Sequence, residues 1–139
     1  MKKNLLIFLL FCIVNVHASE NYTGRFRGSE NIETKCDSDR NFNRVVKLWR
    51  VTITTIEPDS FVGKVDPEYG LITYKGTIDE NGMVKGNLKG FDTGGTRWSG
   101  FFSATIDGDD LSMSVRGRYG LGGCYFRGKI EATRDVASE

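Results

Sequence analysis

The stretch WSGFFSATIDGDDLSMSVRGRYGLGGCYFRGKIEA, residues 98–132, decides the fold. Trp98, Gly100, Phe102, Ala104 and Ile106 share one parity, while Ser99, Ser103 and Thr105 take the other. The arrangement returns with Leu111, Met113, Val115, Gly117 and Tyr119 against Ser112, Ser114, Arg116 and Arg118. It returns again with Cys124, Phe126, Gly128, Ile130 and Ala132 against Arg127, Lys129 and Glu131. Successive side chains of a strand point to opposite faces, so period-two alternation over three consecutive runs predicts antiparallel strands with one face buried. Asp107 to Asp110 and Gly120 to Gly123 read as the turns between them.

Outward from this stretch, a smaller pattern marks the rest of the chain: an apolar residue, a variable one, then glycine. Tyr22 with Gly24, Phe61 with Gly63, Tyr74 with Gly76 and Val84 with Gly86 precede Trp98 with Gly100. Val115 with Gly117 and Phe126 with Gly128 complete the series. Each unit places a large side chain and a glycine in the same inward row, one unit per strand. Glycine weakens a flat strand, so its recurrence beside aromatic residues predicts a sheet that coils sharply. The expected strands are 22–28, 45–56, 61–65, 71–78 and 83–91, followed by the three above. Residues 29–44, polar and charged, read as a long loop holding Cys36, and in 45–56 Lys47, Trp49, Val51, Ile53 and Thr55 share a parity. Asn81-Gly82 suits a hairpin turn because it accepts positive φ. The fold class is all-β, an up-and-down antiparallel meander of about eight strands closing into a small barrel, with a β-sandwich as the alternative.

The chain has 139 residues, enough for one domain. Residues 1–18 read as a signal peptide. Lys2 and Lys3 open it, an uncharged apolar run from Leu5 to Val14 follows, and Val16-His17-Ala18 supplies a cleavage site. That run is too short to span a membrane, and Phe11 stands where a lipidated Cys12 needs a small residue. The mature chain, residues 19–139, is then a single β-barrel domain with no transmembrane segment. Full-length counts are 19 basic and 18 acidic residues, so losing Lys2 and Lys3 leaves a charge of about −1. The single histidine, His17, and Cys12 leave with the signal. The two remaining cysteines, Cys36 and Cys124, predict one disulfide in a secreted or periplasmic protein.

Without histidine, Ser-His-Asp and Cys-His catalysis are excluded and a zinc site is not expected. Asp92-Thr93-Gly94 matches the aspartic-protease tripeptide, but those enzymes need two such loops and no second copy follows. It reads as a turn. Asp107, Asp109 and Asp110 lack the ligand spacing of a calcium loop and read as a solvated hairpin tip. No catalytic residue, metal or cofactor is expected. Two groups of side chains remain as binding candidates. Trp49, Tyr74, Trp98 and Phe126 face inward, to line a pocket for a small apolar ligand or simply to fill the interior. Arg25, Arg27, Arg116, Arg118, Arg127 and Lys129 face outward, as do Lys75, Lys85 and Lys89, while the acids cluster in turns. A basic wall attracts polyanions such as lipopolysaccharide or acidic polysaccharide; equally, it solvates a sheet and discourages edge pairing.

The Asn81-Gly82 hairpin ending at Gly86, the Trp98-Ser99-Gly100 strand and the closing Cys124 resemble short exported proteobacterial all-β proteins with an early cysteine. That resemblance implies an exported fold, and no catalytic residue carries over from it. Trp98-Ser99-Gly100 is also similar to avidin- and lipocalin-type barrels, over three residues that imply no biotin site. The expected function is an exported, non-enzymatic binding protein of the envelope or secretome. Its partner is expected to be a small apolar ligand, an envelope component or a protein, and no nucleic acid. The alternatives are a secreted inhibitor presenting loops 29–44 or 92–97, and a carboxylate-dependent hydrolase. A cavity lined by Trp49, Tyr74 and Trp98 would favour a small ligand; a filled interior with exposed Phe91, Phe101 and Tyr125 would favour a protein.

Overall fold

Eight antiparallel strands follow one another around a closed barrel in the computed structural model, which describes residues 23–37, 41–54 and 59–135. They are β1 (Gly24–Cys36), β2 (Phe42–Thr54), β3 (Ser60–Val65), β4 (Leu71–Ile78), β5 (Met83–Phe91), β6 (Arg97–Asp107), β7 (Asp110–Tyr119) and β8 (Cys124–Arg134). A single 3-10 turn, Pro67–Tyr69, joins β3 to β4. The expected signal segment, and residues 55–58 between the expected strands 45–56 and 61–65, lie outside the described residues. The alternation read over residues 98–132 is the buried row itself: Trp98, Phe102, Ala104 and Ile106 on β6, Leu111, Met113 and Val115 on β7, Phe126, Ile130 and Ala132 on β8.

Closure comes from β8 pairing with β1 over eleven partners, from Phe26↔Arg134 to Cys36↔Cys124. One row of cross-strand partners runs from Thr34 through Phe126, Gly117 and Gly100 to Leu88. It continues through Tyr74, Gly63 and Ile53 and meets β1 again at Gly24. The row returns ten residues from where it left, 34 against 24, which is the stagger of the barrel. Such a stagger over eight strands tilts them by roughly 40° and leaves an interior that side chains fill. Glycines permit the tight coiling. Gly100 lies directly opposite Gly117, and a Cβ built on Gly100 would stand 2.0 Å from the Arg116 carbonyl oxygen.

Residues 29–44 depart from the expected loop. Most of them are strand, with β1 running on to Cys36 and β2 starting at Phe42. The inward row of β1 is Phe26, Gly28, Glu30, Ile32 and Thr34, so two polar side chains interrupt the apolar parity that marks a strand. The expected parity of β2 is also corrected. Between Gly28↔Trp49 and Glu30↔Val46 the register slips by one residue, a β-bulge on β2. Trp49, Val51 and Ile53 face inward below it, and above it the inward position passes to Arg44, opposite Ile32. A bulge leaves no trace in composition.

The Cys36–Cys124 disulfide ties the end of β1 to the start of β8, residues directly opposite in the ladder and 88 apart in sequence. At the other end of the barrel the Arg134 guanidinium lies 4.7 Å from the centre of the Phe26 ring, bonds Asp109 and donates to the Thr23 carbonyl.

Candidate binding site on the outer wall

Trp49, Tyr74, Trp98 and Phe126 all lie in the buried core. Trp49 meets Tyr74 edge-on with centroids 6.5 Å apart, and Tyr74 meets Phe102 at 5.3 Å. Trp98 stands 4.6 Å from Phe126 and 4.7 Å from Tyr119. The structure thus splits the four between two ring clusters, each packed ring against ring. Asp92, whose tripeptide matches the protease motif, makes an Asx turn: Oδ1 accepts from the Gly94 and Thr96 amides at 3.0 and 2.9 Å. Its Oδ2 accepts from Trp98 Nε1 at 3.2 Å, so the loop fixes the indole.

Between the two clusters lies a charged pair that the sequence alone does not single out. Glu30 is only 2% exposed, and its Oε2 accepts from Arg44 Nε at 2.9 Å. The same guanidinium donates to the Tyr69 carbonyl at 3.2 Å and lies 5.3 Å from the centre of the Trp98 ring. Burial pushes the Glu30 carboxyl above its ordinary value, while the charge and hydrogen bond of Arg44 pull it back. Burial, together with the Glu30 charge, also pushes the Tyr74 phenol up. A buried acid held by an arginine has its charge matched, and removing either partner would leave the other buried alone. The signal for it in the sequence is faint: Glu30 falls on the parity of Phe26, Gly28 and Ile32.

On the outer wall a recess of about 970 Å³ crosses β5, β6, β7, β8 and β1. Two adjacent rows of outward side chains line it. In one, Asn87, Phe101, Arg116, Arg127 and Glu33 are successive cross-strand partners. In the other, Lys85, Ser103, Ser114, Lys129 and Asn31 are. Glu33 is the one carboxylate of the lining, and it bonds Arg127 Nε at 3.4 Å and Lys35 Nζ at 3.6 Å. Among the described residues Lys85, Arg116 and Lys129 make no ion pair with a carboxylate. Phe101, 60% exposed, sits between Asn87 and Arg116.

Of the six expected polyanion contacts, the structure gathers Arg116, Arg127 and Lys129 in this recess. Arg118 lies beside them, its guanidinium 5.9 Å from the centre of the Tyr125 ring across the strand. Arg25 and Arg27 lie apart, at the far end of β1, with Arg27 bonded to Asp135 at 3.2 Å. The basic wall also has an internal cost. Arg116 and Arg127 are direct cross-strand partners, and like charges so placed repel. Sequence reading named the cations but not Asn31, Asn87, Ser103 and Ser114, since the register that brings them together is non-local.

No protein-family model matches this chain, and a comparison with curated proteins finds no match. Solved structures do match. The chain is similar to a provisionally assigned outer membrane protein from Bacteroides fragilis NCTC 9343, at TM-score 0.60 and 15% identity, over 84% of this chain and 52% of that one. It is also similar to transferrin binding protein B from Haemophilus parasuis Hp5, at TM-score 0.56 and 15% identity, over 87% of this chain and 28% of that one. At such identity the likeness shows the fold alone. This chain spans about half of the first protein and under a third of the second.

Proposed function

We propose that this chain is an exported, non-enzymatic binding protein of the cell envelope that meets its partner on the outside of the barrel. The observation that carries the reading is where the space lies: rings touch within the barrel, while the recess opens on its wall over Arg116, Arg127 and Lys129. Export is supported by the Cys36–Cys124 disulfide, a bond that persists in oxidising compartments. It is supported too by the resemblance to short exported proteins and by the envelope proteins that share the fold. Binding without chemistry accords with a chain whose single histidine is His17 and whose buried carboxyl, Glu30, is already engaged by Arg44.

Fractionation of cells of the native host tests it. The wild-type protein is expected in the envelope fraction, released by high salt because the contacts are charged. An Arg116→Glu, Arg127→Glu variant is expected in the soluble exported fraction. Identical partitioning of both proteins would rule out the wall as the binding surface.

A second reading, contact with a protein in the manner of a secreted inhibitor, has its own observations: the interior is filled and Phe91, Phe101 and Tyr125 are all exposed, as that reading expects, although the register sets Phe91 at a rim, away from the other two. Leu71 and Phe91 are direct partners at one rim of the barrel, 70% and 49% exposed. Leu71→Ser with Phe91→Ser would abolish binding under that reading and leave it intact under the first.

A further inference from the structure

We propose that the recess over β5–β8 and β1 binds an acidic polysaccharide chain, with Phe101 stacked on a sugar ring and Arg116, Arg127 and Lys129 taking its anionic groups. The inference rests on reading the outer wall as the binding surface and names what that surface holds. Three features of the lining select the ligand class. First, the charge is one-sided: Lys85, Arg116, Arg127 and Lys129 face one carboxylate, Glu33, which Lys35 already shares. The direct opposition of Arg116 and Arg127 is a repulsion that an anion between them would relieve. Second, Ser103 and Ser114 lie between Lys85 and Lys129, and Asn31 and Asn87 end the two rows, short amides and hydroxyls that pair with sugar hydroxyls as donor and acceptor together. Third, the lining has one exposed aromatic ring, Phe101, set between Asn87 and Arg116 rather than in an apolar cluster.

Each competing occupant fails on one of these. A protein interface keeps an apolar centre and sends charge to its rim; here cations and amides surround a single ring. Of the exposed apolar side chains a membrane would take, Leu71, Phe91, Leu121 and Tyr125 stand on strand ends and turns, which leaves Phe101 alone within the recess. The recess runs across five strands, about 19 Å at the usual strand spacing of ~4.8 Å, which suits a short oligosaccharide laid across them.

The probe is an oligogalacturonate, titrated calorimetrically into the intact, oxidised protein at low and high salt. Its methyl ester removes the charge but keeps the sugar, a poly-glutamate peptide keeps the charge but removes the sugar, and anionic phospholipid vesicles present the charge on a membrane. Binding is expected for the oligogalacturonate alone, weakening as salt rises. Arg116→Gln is expected to weaken it about tenfold or more, and Phe101→Ala about three- to tenfold. Arg116→Gln should meanwhile raise the urea midpoint, since it removes the repulsion with Arg127, so lost affinity cannot be lost folding. No binding of the oligogalacturonate, equal binding of its methyl ester, the peptide or the vesicles, or indifference to both substitutions would overturn the proposal. If the oligogalacturonate fails while the envelope association still responds to Arg116→Glu with Arg127→Glu, the ligand class falls and the binding surface stands.

Discussion

Glu30 and Arg44 show how one residue pair can be both costly and necessary. Taking two charges out of water carries a large desolvation penalty, which attraction and hydrogen bonds only partly offset. Arg44 reduces its share by keeping three partners: Glu30, the Tyr69 carbonyl and the Trp98 ring. Glu30 is held above its ordinary 4.5, desolvation outweighing Arg44. A raised carboxyl binds its proton more tightly folded than unfolded, so its contribution to stability falls as pH rises from the ordinary glutamate range through the folded value. Glu30→Gln removes that dependence while the amide oxygen can still accept from Arg44. The stability of the wild type relative to Glu30→Gln should therefore increase as the solution is acidified from about pH 8 to about pH 5, measured as paired urea unfolding curves. A constant difference would place the Glu30 carboxyl at its unfolded value. Arg44→Met, which leaves the carboxylate buried without its partner, should destabilise by about 3–5 kcal/mol at neutral pH. Arg127→Met should cost at most about 1 kcal/mol, since its bond to Glu33 is exposed. Beyond the parity that Glu30 shares with Phe26, neither the pair nor its depth was legible in the sequence, because an inward glutamate looks like a loop residue until its partner, fourteen residues on and beyond a bulge, is known.

At the scale of the element, strand and glycine carry the same information. β4 and β5 run over the residues that alternation and the Asn81-Gly82 turn predict, 71–78 and 83–91. Local pattern sufficed there because each side chain of those strands answers only to inside or outside. It failed for residues 29–44, where Glu30 and Thr34 take inside positions and a slip of register in β2 breaks the count. The glycines were legible as an inward row but not as pairs. Register places Gly100 against Gly117 and Gly76 against Gly86. A Cβ on Gly117 would come 2.1 Å from the Ser99 carbonyl oxygen and 2.6 Å from the Gly100 Cα, backbone atoms that cannot turn aside. Gly117→Ala should therefore lower stability by about 1–3 kcal/mol as the strands are forced apart. Gly122, where a Cβ meets nothing within 4 Å, is the control, and Gly122→Ala should stay within about 0.5 kcal/mol. Equal urea midpoints for the two variants would show that close approach across β6 and β7 does not set the coiling.

For the molecule as a whole, the decisive contact is the one most distant in sequence. An up-and-down meander predicts each strand beside the next, but whether the last meets the first depends on stagger, which no local pattern records. The recurrent inward glycines predicted a sheet that coils and closes but not its stagger, and the structure places Cys36 and Cys124 opposite each other at the edge of an eleven-partner ladder. The disulfide and the ladder act on different states. The ladder holds the folded barrel shut; the crosslink, 88 residues apart, chiefly restricts the unfolded chain, by about 4–5 kcal/mol on loop-closure entropy. That is a large share of the roughly 5–15 kcal/mol expected of a domain, yet it leaves the native contacts untouched. A Cys36→Ser, Cys124→Ser variant should thus keep its far-ultraviolet dichroism and the near-ultraviolet signal of Trp49 and Trp98, while its urea midpoint falls sharply. Its denaturant slope should rise as well, because an unfolded chain freed of the crosslink exposes more surface. Loss of the native dichroism in water would instead assign closure to the disulfide, and an unchanged midpoint would mean that the pair restrains neither state. Since the recess spans β5 to β1 across the β8–β1 seam, the first of those outcomes would carry the binding wall away with the barrel, while the expected one leaves its two rows in register.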